Sequence, residues 1–273
     1  MCEASRVHPS HDPQANTLRH FTLLADLHPA WPGSLILSVG LTPSGTDLAL
    51  AANIAGAVCL SIDRSPEACR SALRFGAVDF VVNTLDEALR ALKNEIRQRH
   101  PLSVALAAEP APVLAEALDR GLLPDLFTAF ATGGSDPDWS AVTHAAQAFA
   151  AFSALIVDFD GTPPPSPSVV AAPDHVDAPD HVDAPDHLAA FTASRSLTLE
   201  SFEFESAADL RTFDARVLTI ILPGDTRRPW VLAAPRHFSR SRPGEPRSHR
   251  RTLLLTPPER DLLASTFHSE TRP

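Results

Sequence analysis

From Ser34 onward the chain alternates between short runs that are apolar on both faces and longer stretches whose apolar residues recur at helical spacing. "SLILSVG" reads as a strand, a helix follows from about Thr46 to Ala57, and "AVCLSID" reads as a second strand. A helix from about Ser65 to Phe75 and a short strand, "VDFVVN", come next. "TLDEALRALKNEIRQRH" predicts a helix with Thr84 as N-cap and Glu87 at the capping-box position. Then come strand "LSVALAA", helix "APVLAEALDRG" closed by Gly121, and strand "DLFTAFA". Strands without a polar face cannot border water, so they require a parallel sheet covered by helices on both sides. The fold class is therefore α/β, with a doubly wound parallel sheet.

On either side of this alternation the pattern changes. Residues 1–16 are polar, with His and Pro, and predict a disordered N-terminus. "TLRHFTLLADLH" places Leu18, Phe21, Leu24 and Ala25 on one helical face, and Pro29, Trp31-Pro32 and Gly33 end it. "DWSAVTHAAQAFAAFSALIVDFDG" adds one more helix and strand. Beyond it, Ala172-Pro173-Asp174-His175-Val176-Asp177 is repeated from Ala178 and again, in part, from Ala184. Proline at every sixth position removes backbone donors and stiffens the chain, which predicts a linker. His175, His181 and His187 alternate with aspartates there, but ligands on such a chain must be ordered at entropic cost, and no metal site is assigned. The last stretch predicts two or three strands and a terminal helix with Thr256 as its cap. The expected division is 1–16, a disordered segment; 17–161, the doubly wound domain; 162–190, the linker; and 191–273, a small α/β region.

Composition narrows the function classes. The 273 residues are 44% hydrophobic, sufficient for a core, and a net charge of −10 argues against general nucleic-acid affinity. Three cysteines, Cys2, Cys59 and Cys69, are too few and too unevenly placed for a disulfide framework. With no secretory signal and no apolar run near the roughly 18 residues of a membrane helix, a cytoplasmic location is expected. The positive charge is concentrated in Arg227, Arg228, Arg236, Arg240, Arg242, Arg247, Arg250 and Arg251, opposed only by Glu245. This segment reads first as a solvated loop, and second as an anion or RNA contact.

The first strand-to-helix turn, Gly40-Leu41-Thr42-Pro43-Ser44-Gly45, is one residue away from the G-x-G-x-x-G fingerprint of dinucleotide sites. In that pattern the first glycine bends the chain, the second admits the pyrophosphate and the third lets helix pack on strand. Gly40 and Gly45 keep the outer places, while Thr42 puts a Cβ at the middle one and Pro43 removes an N–H. Asp63, ending the next strand, stands where an acid bonds the ribose hydroxyls. The candidate cofactor-binding residues are Gly40, Thr42, Gly45 and Asp63. By the pattern alone, a structural turn and a nucleotide site both stay open.

From about Leu18 to Asp136 the chain resembles the central NAD-binding, Rossmann-like domain of the urocanase (urocanate hydratase) family. The resemblance runs in order through "HFTLLADLHPAWPGSLILSVGL", "LALAANIAGAVCLSID", "FGAVDFVVNTLDEAL" and "PLSVALAAEPAPVLAEALDRGLLPDLFT". It implies a lyase of histidine degradation that uses NAD as an electrophile toward urocanate, with a tyrosine and a late Cys-Arg-Gly motif in the chemistry. This sequence has no tyrosine and no cysteine after Cys69, so no catalytic residue is assigned. In the cofactor loops, Glu109 or Pro110 stands at the family's asparagine, and Phe130-Ala131-Thr132-Gly133-Gly134 replaces a Gln-Thr-Ser-Ala-His-Asp loop. "ALIVDFDG" is similar to a family strand, with Asp158 at its aspartate. Asp158-Phe159-Asp160-Gly161-Thr162 is also similar to the nucleophile loop of haloacid-dehalogenase-like phosphatases, which need a downstream lysine; Lys93 is the only lysine. The resemblance thus implies a shortened, degenerate family member in which NAD binding is weak or lost. Two alternatives remain open: a scaffold that contacts a partner through Arg227–Arg251, and a hydratase component completed by another chain.

Overall fold

The computed structural model describes residues 5–6, 13–28, 30–130, 139–159, 182–183, 192–238 and 249–269. They fall into two units, Met1–Pro29 with Leu188–Pro273, and Ala30–His187. In chain order the first unit opens with strand β1 (Ser5–Arg6) and helix α1 (Pro13–Leu27). The segment expected to be disordered, residues 1–16, thus holds β1 and the start of α1, whose later residues carry the helical pattern read from Leu18 onward. Helix α1, expected to open the doubly wound domain, is grouped instead with the C-terminal residues.

The second unit runs β2 (Leu35–Val39), α2 (Pro43–Ala55), β3 (Val58–Asp63), α3 (Pro66–Phe75), β4 (Phe80–Val82) and α4 (Leu85–Gln98). It continues through β5 (Leu102–Ala107), α5 (Pro110–Asp119), β6 (Leu126–Ala129), α6 (Trp139–Ala151), β7 (Leu155–Asp158) and β8 (Val182–Asp183). The strands form one sheet in the order β4-β5-β3-β2-β6-β7-β8, and every pairing is parallel. Strand β8 is the Val-Asp of the second repeat copy, so part of the expected linker is an edge strand on Val157 and Asp158. The three histidines of the repeat lie outside the described residues.

Each helix is set by its own punctuation. Thr84 and Glu87 form the reciprocal capping box that starts α4, Ser65 caps α3, and Gly56 and Gly76 end α2 and α3 in the left-handed conformation. Helices α4, α5 and α6 bury Leu85, Leu92, Val113, Leu114, Val142 and Phe149 against Leu37, Leu60, Val104 and Phe127 of the sheet. On the other face lies α2, where the Ser103 hydroxyl donates to the Ala49 carbonyl at 3.1 Å. From β2 the chain moves outward to β3, and from β5 it crosses back to β6 on the opposite side. The carboxyl ends of β2 and β6 therefore flank the point where strand order reverses, the place where open α/β sheets hold their ligands.

The first unit has a sheet ordered β1-β9-β10, with β9 spanning Thr198–Phe204 and β10 His249–Leu255, together with helices α7 (Ala207–Ile220), α8 (Arg228–Phe238) and α9 (Pro257–Ser269). The pairings are antiparallel. The outer edge of β10 is satisfied by side chains. The Gln14 amide donates to the Arg250 carbonyl at 2.9 Å and accepts from the Thr252 N–H at 3.1 Å, while the Trp230 indole N–H donates to the Thr252 carbonyl.

The arginine-rich segment is not a solvated loop where it is described. Arg251 donates twice to Asp214, both at 2.7 Å, in the interior of the unit. Arg227 bonds Asp225, Glu259 and the Leu254 carbonyl, which holds Glu259 below the usual carboxylate range despite its burial. Arg228 donates to the Leu218 and Ile221 carbonyls at the end of α7, and Arg250 pairs with Glu203. Four of the eight arginines thus bond groups of their own unit; Arg240, Arg242 and Arg247 lie outside the described residues. No described helix is long and apolar enough to cross a membrane.

Candidate functional site

The turn after β2 begins at Gly40, whose φ of +91° few other residues adopt. Its N–H continues the ladder to the Ile62 carbonyl at 2.8 Å. A Cβ there would lie 2.8 Å from the Phe130 carbonyl oxygen at the end of β6. Gly45 is tighter still. A Cβ on it would stand 2.1 Å from the Gly40 oxygen and 3.2 Å from the Phe130 ring. Both outer glycines therefore do what the fingerprint requires of them, one bending the chain and the other bringing helix onto strand.

The helix starts earlier than its apolar pattern suggests. Thr42 is the N-cap and Pro43 occupies the first turn, so α2 begins at Pro43 rather than near Thr46. Proline is favoured there because its missing N–H would have no helical partner. The Thr42 hydroxyl accepts from the Gly45 N–H at 3.2 Å, and the Thr42 carbonyl accepts from the Thr46 N–H at 2.8 Å. This leaves Ser44, among the described residues, as the first-turn N–H with no assigned partner. The donors that make helix N-termini anion sites are thus largely occupied.

Asp63 lies at the end of β3, beside the turn. One carboxylate oxygen accepts from the Leu41 N–H and the other from the Ser65 N–H, each at 2.7 Å. The residue is only 4% exposed. A charged acceptor holding two amides at this length makes strong bonds, and here they tie β3 to the loop after β2 and to the start of α3. The structure thus brings together all four sequence-derived residues, Gly40, Thr42, Gly45 and Asp63, in one bonded turn.

A fifth residue belongs with them. Phe130, fully buried, continues β6 with its N–H on the Val39 carbonyl at 2.8 Å. Its ring touches the Gly45 position and stacks at a tilt on Phe159, centroids 6.2 Å apart. In the sequence Phe130 reads only as the first residue of a cofactor loop; the contact with Gly45 depends on the β2–β6 pairing, which no local pattern announces. The rest of that loop, from Ala131 through Asp136, lies outside the described residues. Glu109, exposed, starts α5 without a side-chain cap bond, and Asp158 is buried at the end of β7.

The described thiols, Cys59 and Cys69, offer no nucleophile. Burial pushes both Cys59 and Cys69 up to about 11, so each is a neutral S–H near pH 7. Among the described residues no group of three or more histidine, cysteine or carboxylate side chains is placed to hold a metal ion.

Residues 17–133 match the family model described as the urocanase Rossmann-like domain. This segment is similar to a urocanase Rossmann-like domain. The match covers less than half of the chain, and it agrees with the parallel sheet and flanking helices of the second unit. It begins inside α1, which belongs to the first unit. The protein is thus related to urocanase through a domain of a type associated with NAD.

Proposed function

We propose that this protein is a urocanase-related Rossmann-domain protein without hydratase activity of its own, in which NAD binding is weak or lost. The observation that carries this reading is the state of the turn. The amides, hydroxyl and carboxylate that would meet a dinucleotide at Thr42, Gly45 and Asp63 are bonded within the chain. The middle position of the turn carries a side chain where the backbone itself has to approach a diphosphate. The residues present therefore do not fit NAD.

The reacting groups point the same way. The tyrosine and late cysteine that the resemblance implies have no counterpart in this sequence, and the two described cysteines are sealed thiols. Glu109 sets a negative charge near the rim, which disfavours a bisphosphate. The reading is tested by following urocanate absorbance with the full chain and added NAD. No loss of absorbance is expected; turnover that depends on NAD overturns it. A scaffold that contacts a partner through Arg227–Arg251 is the weaker reading, since Arg227, Arg228, Arg250 and Arg251 bond groups of their own unit.

A further inference from the structure

We infer that the crevice between β2 and β6 is closed by the chain's own groups: Phe130 fills it, and Asp63 serves the turn as an internal anion. The inference deepens the reading that the turn holds no dinucleotide, and rests on it.

Three observations carry it. The Phe130 ring stands 3.2 Å from where a Gly45 Cβ would be and 6.2 Å, centroid to centroid, from Phe159, so the ring lies between the start of α2 and the end of β7. Phe130 is 0% exposed and Phe159 7%, which leaves no open slot against either ring.

The third observation is electrostatic. Where a fingerprint turn offers amides to a phosphate, this turn gives the Leu41 N–H to a carboxylate of the same chain, and the second oxygen of that carboxylate fixes the Ser65 N–H. A carboxylate thus serves the turn from within, buried at the end of β3. The turn is complete before any ligand arrives. A ribose would have to expose Asp63 and share carboxylate oxygens that already hold the Leu41 and Ser65 amides.

The test uses the full chain and needs no activity. Amide hydrogen exchange in the ligand-free protein is expected to show Leu41 and Ser65 protected; fast exchange at both overturns the inference. Thermal melting with NAD as probe is expected to leave the wild-type Tm unchanged, whereas a site filled at a hundred times its dissociation constant raises Tm by roughly 5 to 10 °C. Asp63→Asn, which sets an N–H against one of the two amides, is expected to lower the ligand-free Tm by about 5 °C or more. Either a saturable NAD-dependent rise in the wild type or an unchanged Tm in Asp63→Asn overturns the inference. Phe130→Ala opens a ring-sized cavity that benzene refills, raising the variant's Tm but not the wild type's; no benzene effect on the variant overturns the role given to Phe130. Urocanate turnover bears on the reading above, and exchange at Leu41 bears on this one, so the two fail separately.

Discussion

Gly45→Ala adds one methyl group at the place where helix α2 meets the end of β2. Its carbon would stand 2.1 Å from the Gly40 oxygen and 3.1 Å from the Gly40 carbonyl carbon. Both are backbone atoms, so no rotamer change relieves the overlap. The start of α2 has to withdraw by about 1 Å to restore van der Waals distance. That movement pulls on the Thr42 cap, worth about 1 kcal/mol, and on the Leu41–Asp63 bond, a charge-assisted contact of about 1.5 to 3 kcal/mol. Alanine gains about 0.5 to 1 kcal/mol over glycine inside a helix, which offsets part of the loss. The net expectation is a destabilisation of about 2 to 3 kcal/mol.

The natural control is Gly121→Ala. Unlike the helical Gly45, Gly121 has a left-handed φ, +66°, but a Cβ there meets nothing within 4 Å. That variant bears only the conformational cost of about 1 to 2 kcal/mol. Urea unfolding, followed by circular dichroism and by tryptophan fluorescence, measures both variants. Two probes are needed because the chain has two units and a single transition cannot be assumed. A Gly45→Ala protein as stable as the wild type, or no less stable than Gly121→Ala, refutes the close approach of helix and strand.

Three further outcomes follow from the same structure. Asp214→Ala leaves the Arg251 guanidinium, 1% exposed, without its carboxylate and is expected to cost about 3 to 5 kcal/mol, whereas Asp214→Leu combined with Arg251→Met loses much less; a urea-denaturation cycle in which the single variant loses under 1 kcal/mol contradicts the buried pair. Burial lowers His20 to about 4 from its ordinary 6.5, with Arg19 adding to the effect. The unfolded chain then binds the proton first on acidification, so stability is full above pH 6.5 and falls as pH drops toward 4; His20→Gln flattens that part of a Tm-against-pH profile, and an unchanged slope sinks the assignment. Cys59 and Cys69, buried with their thiols raised to about 11, are expected to react with a thiol reagent at pH 8 only as the protein unfolds, and prompt labelling of either in native protein contradicts their burial.

The doubly wound unit is legible in the sequence because each of its elements carries its own signal. "SLILSVG" and "AVCLSID" become β2 and β3 within a residue of their patterns, and Thr84 with Glu87 forms the capping box its spacing implies. What local pattern cannot show is pairing between distant residues. Ser5 and Arg6 are a strand because Glu203 and Phe202 present an edge to them, and Val182 and Asp183 are one because β7 does. The C-terminal region was harder for a related reason. The pattern predicts two or three strands there without fixing their places, and "FDARVLTII" and "PWVLAAP" fall in helices α7 and α8; Ser206 caps the first, and Phe213, Asp214 and Val217 give it a buried face.

The site was half legible. Spacing brings out Gly40, Thr42, Gly45 and Asp63, and the fold gathers all four in one turn. Thr42-Pro43 also carries the signature of an N-cap followed by proline, readable without any structure. The direction in which the Asp63 carboxylate is used was not readable. A carboxylate after a strand bonds ribose in one protein and loop amides in another, and only the position of the Leu41 and Ser65 amides decides between them.

The central claim, that the turn after β2 is completed from within the chain, is tested most directly by equilibrium dialysis of the full-length protein against labelled NAD. Retention equal to that of an Asp63→Ala control across the concentration range is the predicted result. Saturable retention at a stoichiometry near one per chain, lost in the control, would contradict it.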